Sequence, residues 1–466
     1  MLKYLCISDM HAGAATSLLT TLDDKYQPQG PTVGDAFSAA VESFLNASGS
    51  QPQLILLGDV LDLQFAGRTE ATRSAFSFLS SLGRTGCLAE EVILTAGNHD
   101  HAIWTDARLA LETDTFSNDD GKLDIEYRQL TPAFSQTKLA QSRLMQRLLT
   151  KAGFKSVDLR YPNIGFQQGR KIVMLHHGHF VEAPYRLMTT LRDAVLAEPR
   201  EVVTSADVAA ENAGWLDFFW STTGEGGFGM DANEFYQNML TSYGYRRFAR
   251  QMASVLGEKM SQALPLSGNL TVQETLRRLA HAGLDATIGR YRDTERYAEV
   301  TALTHDGFEG LRWYLDGPVK SQIEQELNGI YDDITFVFGH THKPFTDRSV
   351  TKRFDKPVKV HNTGGWTLNG PRLDNAEGAS MVLIDDDLHV ASIRLFSTPR
   401  NGVVPEVNVE ILGDNDDGAL DFKQQIEGWL AAGQPQWQAL AASAGDAYRA
   451  RQSFLLDLTA GARAAE

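Results

Sequence analysis

The stretch Leu54-Ile55-Leu56-Leu57-Gly58-Asp59-Val60-Leu61-Asp62 decides how the rest of the chain is read. Four aliphatic residues in a row predict a buried strand. Gly58 lets the backbone turn tightly where that strand ends. Asp59 then stands at the mouth of a sheet, where open α/β folds carry their chemistry. A carboxylate has two oxygens, so one Asp59 side chain can serve two cations. Asp62 lies on the next turn, placed to orient Asp59 or a neighbouring ligand. Alone, Gly-Asp-x-x-Asp is equally the pattern of a loop carboxylate capping a helix. Its recurrence along the chain separates the two readings.

Upstream, the strand Tyr4–Ser8 runs into Asp9-Met10-His11. Phe37, Val41 and Leu45 fall at helical spacing over Asp35–Leu45, making a βαβ unit with Leu54–Leu57. Downstream, a helix is predicted over Thr69–Leu82, with Phe76 and Leu79 on one face and Gly83 as its stop. The strand Glu91–Thr95 ends in Gly97-Asn98-His99-Asp100-His101. A polar loop, Thr113–Asp124, and a surface helix, Thr137–Ala152, follow. The strand Lys171–Leu175 leads into His176-His177-Gly178-His179, and Ile334–Phe338 into Gly339-His340-Thr341-His342.

Between the last two clusters the pattern is helical: Asn233–Leu256, then Val272–Ala282 opened by the capping box Thr271…Glu274, then Phe308–Leu315 and Ser321–Leu327. A strand at Pro357–Val360 precedes His361-Asn362-Thr363-Gly364-Gly365-Trp366, and further strands are predicted at Ser380–Ile384, His389–Phe396 and Val403–Ile411. Gly413–Gly418 reads as an acidic loop, and the chain from Asp421 as helical. The expected organisation is a core of residues 1–180 and 331–412, a helical cap insertion of 181–330, and a C-terminal helical extension of 413–466.

The chain has 466 residues, of which 42% are hydrophobic and 22% charged, as expected of a globular protein with a sizeable core. A net charge of −16 argues against broad nucleic-acid binding, which needs a basic footprint. Cys6 and Cys87 are the two cysteines, and Cys6 sits in an apolar run as a packed thiol. A reducing, cytoplasmic setting is expected, with no signal peptide and no apolar run of the roughly 18 residues needed to span a bilayer.

Nine of the twelve histidines lie in the strand-end clusters; only His281, His305 and His389 do not. Imidazole, carboxylate and an amide oxygen suit Mn, Zn, Fe or Ni, with Mn favoured, and no cysteine competes as a soft ligand. The ordered series Asp-x-His, Gly-Asp-x-x-Asp, Gly-Asn-His-Asp, His-Gly-His and Gly-His-Thr-His, from Asp9 to His342, resembles the calcineurin-like metallophosphoesterase superfamily. The resemblance implies an α/β fold with a central β-sandwich flanked by helices, here carrying the helical cap. It implies two divalent metal ions. Asp9, His11 and His342 would hold one, Asn98, His177 and His340 the other, and Asp59 would bridge them. His99 would act on the substrate phosphate without binding metal, as an imidazolium held by its neighbours, and Asp100 would orient His99 or another histidine.

The function expected is two-metal hydrolysis of a phosphoester or pyrophosphate bond, with a bridging hydroxide attacking phosphorus in line with the leaving group. The expected partner is a small-molecule or lipid-linked phosphate substrate. A nuclease is the alternative within enzymes, and a non-catalytic scaffold on the same fold the alternative outside them. The presence of every proposed ligand speaks against the scaffold.

His176 competes with His177 as ligand, and the match to the family's His-Gly-His loop favours His177. His179 and His101 stand between substrate contact, an orienting role and ordinary polar surface, and His361 between a near-site and a structural role. Asp62 reads as an orienter, and its carboxylate stands where ferric–tyrosinate members carry tyrosine. The loop Asn362–Trp366 after Gly-His-Thr-His-Lys-Pro is similar to the closing loop of the UDP-2,3-diacylglucosamine hydrolase branch. That branch has Arg at the position of His99 and Asp at that of His179, so its substrate is not carried over. Trp215-Leu216-Asp217-Phe218-Phe219-Trp220 either anchors the cap, lines an apolar pocket or touches a membrane. No basic amphipathic helix supports the last.

Overall fold

Leu54–Leu57 lie buried in the middle of a sheet, covered on both faces. Ile55 and Leu57 point to one side, into a cluster with Cys6, Ile93, Val173, Leu175 and Val337. Leu54 and Leu56 point to the other, among Phe37, Val41, Phe78 and Leu79 of the flanking helices. A strand buried on both faces needs an unbroken aliphatic run, and each such side chain contributes about 1.5–3 kcal/mol. The computed structural model describes residues 1–19, 32–118, 129–135, 140–195, 200–222, 302–370, 376–397, 404–413 and 416–464.

In chain order these form β1 (Leu2–Ile7), α1 (Thr32–Ser48), β2 (Gln53–Leu57), α2 (Arg68–Arg84), β3 (Glu91–Thr95), α3 (Ala102–Asn118), α4 (Arg143–Lys151), β4 (Ser156–Leu159), β5 (Asn163–Gln168) and β6 (Lys171–His176). Two 3-10 turns, His179–Val181 and Ala183–Arg186, open α5 (Leu187–Val195) and α6 (Ser205–Trp215), and α6 runs into a π turn over Leu216–Ser221. After α7 (His305–Tyr314) and α8 (Lys320–Glu326) come β7 (Asp333–Phe338), β8 (Phe345–Ser349), β9 (Val358–Asn362), β10 (Gly378–Asp385), β11 (Val390–Ser397), β12 (Val404–Ile411), α9 (Asp417–Ala432) and α10 (Gln434–Ala464).

The strands form two mixed sheets, ordered β12-β11-β10-β1-β2-β3-β4 and β5-β6-β7-β9-β8. They face one another across the cluster that holds Cys6, while helices cover their outer sides. This is the expected α/β sandwich. Strands β1, β2 and β3 run parallel in one sheet, β6, β7 and β9 in the other. Parallel strands deliver their C-terminal loops to one edge, and the loops after β1, β2, β3, β6 and β7 carry the ligand motifs.

The strands that sequence reading missed are β4, β5 and β8. All three are sheet edges, where one side is open and strands stay short or polar. Helix α2 continues through Gly83, and Phe76 is exposed while Ala75, Phe78, Leu79 and Leu82 form its buried face. Thr113–Asn118, expected in a loop, closes α3, and residues 119–124 lie outside the described residues. The helix expected over Thr137–Ala152 begins only at Arg143, capped by the Ser142 hydroxyl, because Ala140 bridges to Leu159. The helices expected at Asn233–Leu256 and Val272–Ala282, with the box Thr271…Glu274, also lie outside the described residues.

The C-terminal helices pack against α1 and the sheet: Trp429 and Trp437 meet Phe44, and Tyr448 meets Phe396. Arg451 of α10 is fully buried and donates from Nε to the Ser17 carbonyl at 2.9 Å, behind the loop that follows His11. Among the described residues no helix is long and apolar enough to cross a membrane.

Candidate metal centre

Each ligand motif begins where a parallel strand stops, and in four of the five the backbone there turns left-handed. Among the described residues six non-glycine positions have φ between +47° and +69°: Asp9, His11, Asp59, His340, His342 and Leu388. Five are proposed ligands. A side chain with a Cβ resists this region, so such positions persist only where surrounding structure imposes them, typically at functional sites. Gly58 has a φ of +83°, and a Cβ there would come within 2.5 Å of the His177 ring. A Cβ on Gly97 would collide with the Asp59 carboxylate. The glycines therefore admit the close approach of neighbouring loops.

The first group is Asp9, His11 and His342, all buried and mutually within ligand distance. Asp9 accepts at Oδ2 from the Ser8 hydroxyl and from the His340 backbone N–H, while Oδ1 makes no hydrogen bond. Nδ1 of His11 lies 2.9 Å from Asp62 Oδ2, and Nδ1 of His342 lies 2.6 Å from Asn369 Oδ1. Both partners are acceptors, so each Nδ1 carries the hydrogen and each Nε2 presents a lone pair. Those two Nε2 atoms stand 3.0 Å apart, with Asp9 Oδ1 3.4 Å from that of His342. Lone pairs pressed together beside a carboxylate repel unless a cation lies between them.

The second group is Asp59, His177 and His340. Nδ1 of His177 donates to the Leu57 carbonyl at 2.9 Å. Its Nε2 faces Asn98 Oδ1 and Asp59 Oδ2, each at 3.2 Å. Burial works against a charge on His177, but the Asp59 and Asp9 carboxylates outweigh it and hold its pKa up at about 9. Burial also opposes ionisation of Asp59, yet His177, His99 and His11 pull its pKa well below the usual range. Asp59 Oδ2 lies 3.5 Å from His11 Nε2 as well, so the carboxylate reaches both groups. These donor sets fit divalent cations: imidazole nitrogens, carboxylate oxygens and one amide oxygen aimed at shared points.

His99 is buried with its ring edge-on to His11 at 4.5 Å, and its Nδ1 lies 3.3 Å from Asp62 Oδ1. Burial lowers its pKa below that of an exposed histidine, although Asp62 and Asp59 oppose this. Desolvation thus works against the expected imidazolium, and the two carboxylates work for it. Asp62 thus touches the rings of both His11 and His99, and two further backbone N–H groups, of Gln64 and Phe65, fix it in place.

The expected role of Asp100 also changes. Its carboxylate accepts from the N–H groups of Gly97 at 2.7 Å, Val60 at 2.8 Å, and Asp59 and Leu61 at 3.3 Å. Among the described residues it bonds no histidine. It clamps the Gly97 loop to the Asp59 loop, and burial, aided by the Asp59 charge, pushes its pKa up to about 6.

The structure separates the adjacent histidines. His177 enters the second group, whereas His176 accepts from the Gly178 N–H and packs against Phe180 and Tyr314. His179 is fully buried 5.5 Å from His177, ring centre to ring centre, and neither of its nitrogens makes a hydrogen bond. His101 bonds Asp217 at 2.7 Å and the Tyr161 hydroxyl at 3.0 Å. His361 bonds Ser392, away from both groups, and Trp366 is a buried aromatic between Phe37 and Phe396. Sequence reading missed Asn369 and Glu182, whose Oε1 lies 3.0 Å from His340 Nε2. Neither sits at a motif spacing, so no sequence signal announced them.

Residues 2–222 match a family model described as calcineurin-like phosphoesterase. No curated protein matches the chain. Among solved structures the chain is similar to a candidate 5′-nucleotidase from Staphylococcus aureus in complex with α-ketoglutarate, at 13% identity and a TM-score of 0.26. That alignment covers 91% of this chain and 58% of the other, so this chain spans little more than half of that relative's length. It is also similar to a dimetal phosphatase from Danio rerio, at 10% identity and a TM-score of 0.28, covering 87% of this chain and 98% of that one.

Proposed function

We propose that the chain is a metal-dependent phosphoester hydrolase of the calcineurin-like phosphoesterase family, a reading supported by the family match over residues 2–222, and that it cleaves a phosphoester or pyrophosphate bond of a small or lipid-linked substrate at a two-metal centre. Asp9, His11 and His342 would hold one ion and Asn98, His177 and His340 the other, with Asp59 shared between them. Mn is the first candidate. The observation that carries this reading is the facing pair of lone-pair nitrogens, His11 Nε2 and His342 Nε2, 3.0 Å apart.

Ions bound there would supply Lewis acidity toward phosphoryl oxygens and a water of lowered pKa. The chain's own residues prepare the site. Asp62 holds His11 in the tautomer that presents Nε2. The His99 backbone N–H donates to Asp59 Oδ1 at 2.8 Å, which steers Oδ2 toward His11 and His177. Asp100 keeps the two loops in register. The His99 ring stands beside His11, placed to stabilise charge on a transferring phosphoryl group or to pass a proton to the leaving oxygen.

In this reading residues 1–180 and 331–412 form the catalytic core, 181–330 a cap that selects substrate, and 413–466 an extension packed on the core. The test is to strip the protein with a chelator, reload it with Mn, Zn, Fe or Ni, and assay a phosphomonoester, a phosphodiester, a nucleotide sugar and single-stranded nucleic acid. Metal-restored hydrolysis of the small esters or the pyrophosphate is expected. Preference for the nucleic acid would favour a nuclease, and failure on every substrate with every metal would overturn the reading.

A further inference from the structure

The two ligand groups are held by different parts of the chain. In the first, His11 and His342 are fixed by Asp62 and Asn369, which lie in loops beside the sheets. In the second, His340 is met by the opening turns of the helical segment that leaves β6. Glu182 sits between the two 3-10 turns, is 7% exposed, and places Oε1 3.0 Å from His340 Nε2. Tyr185, three residues on, sets its ring edge-to-face with that of His340 at 4.7 Å, and Trp220 packs on Tyr185 at 4.6 Å.

The same helical segment also reaches the loop that carries Asn98. Asp217 takes His101 Nδ1 at 2.7 Å and the Thr105 hydroxyl at 2.7 Å, and the Ser221 hydroxyl accepts the Ala102 N–H at 2.9 Å. Two ligands of the second group, Asn98 and His340, are thus braced by residues 182–221.

Resting on the two-metal reading above, we infer that Glu182 is a positioning residue for the second ion: its carboxylate, 3.0 Å from His340 Nε2, steadies the His340 ring beside Asp59 and His177 and makes affinity at that site depend on the docked helical segment. A carboxylate set against a ligating imidazole fixes the ring and strengthens it as a donor, and loss of such a partner typically costs about 10–100-fold in metal affinity. His11 and His342 are held instead by Asp62 and Asn369, so the first ion is the internal control.

The experiment titrates chelator-stripped full-length protein with Mn²⁺ by calorimetry, and counts ions by elemental analysis after dialysis. Glu182→Gln keeps the size and can still hydrogen-bond, but removes the charge. It should weaken the weaker-bound or second ion by about 10–100-fold and leave the other unchanged. Glu182→Asp should recover part of that loss, and Asp217→Asn should shift the same ion in the same direction. The unchanged ion reports that each variant is folded. Equal weakening of both ions, or two ions bound by Glu182→Gln as tightly as by the natural protein, overturns the inference while leaving the two-metal reading standing. A natural protein that binds fewer than two ions overturns both.

Discussion

The imidazoles of His11 and His342, 331 positions apart in the chain, meet with Nε2 facing Nε2 at 3.0 Å. Their other nitrogens are committed to Asp62 and Asn369. No proton is left for the facing pair in the neutral rings, so the contact is stable only around a cation. Asp59 joins this pair to the second group, since its Oδ2 lies within 3.5 Å of both His11 and His177.

Replacing that shared carboxylate tests the bridge. Asp59→Asn should lower occupancy of both ions, because an amide offers one neutral oxygen where the carboxylate offered two charged ones. Elemental analysis of the purified variant is the measurement. Two tightly held ions per chain would remove Asp59 from the bridging position.

His99 lies beside the first group without entering its facing nitrogen pair. His99→Ala should keep both ions and reduce turnover by about 10²–10⁴ if the ring passes a proton to the leaving group. Nitrophenolate leaves without a proton, so its ester should suffer less than an alkyl ester. Equal losses on the two would assign His99 to charge stabilisation alone.

Asp100 should act on stability before it acts on catalysis. Asp100→Ala leaves the buried N–H groups of Asp59, Val60, Leu61 and Gly97 without their acceptor. Each unsatisfied buried donor costs about 1–3 kcal/mol, so metal-free variant protein should unfold at clearly lower urea concentration. Asp100→Asn retains one acceptor oxygen and should lose less. A variant as stable as the natural protein would return Asp100 to the role of a histidine orienter.

His361 gives a pH dependence with a definite sign. Burial, with a smaller contribution from Lys359, pushes its pKa down to about 3. The unfolded chain takes up a proton near pH 6.5 that the folded chain refuses until near pH 3. Stability should therefore fall as pH drops through that window, by up to about 1.4 kcal/mol per pH unit from this residue. His361→Gln can still donate to Ser392 and has no proton to gain. Urea unfolding of both metal-free proteins from pH 7 to pH 4 should give a shallower slope for the variant, and identical slopes would refute the assignment.

Sequence alone determined what is local. The aliphatic run Leu54–Leu57 specified a strand buried on both faces, and a glycine followed by a ligand marked where each parallel strand ends. The reason is that a tight exit from a strand depends on a few neighbouring residues. The edge strands β4, β5 and β8 left weaker marks because one side of each is open and places little demand on residue type.

What depends on distant partners was settled only by the tertiary structure. His176 and His177 are adjacent and chemically identical, and strand geometry sends one to Tyr314 and the other to Asp59. The family match ends at residue 222, yet pairing of β7 beside β6 brings His340 and His342 to the same edge as Asp9. Asp100 looked like an orienter of the histidine next to it, but its oxygens face backbone N–H groups some forty positions earlier. Glu182 and Asn369 sit at no motif spacing, because a carboxylate or amide that holds the far side of a ligand can come from any segment the fold carries there. Spacing records what the chain does over a few residues, whereas hydrogen-bond partners across a sheet edge depend on which loops the packed core brings together.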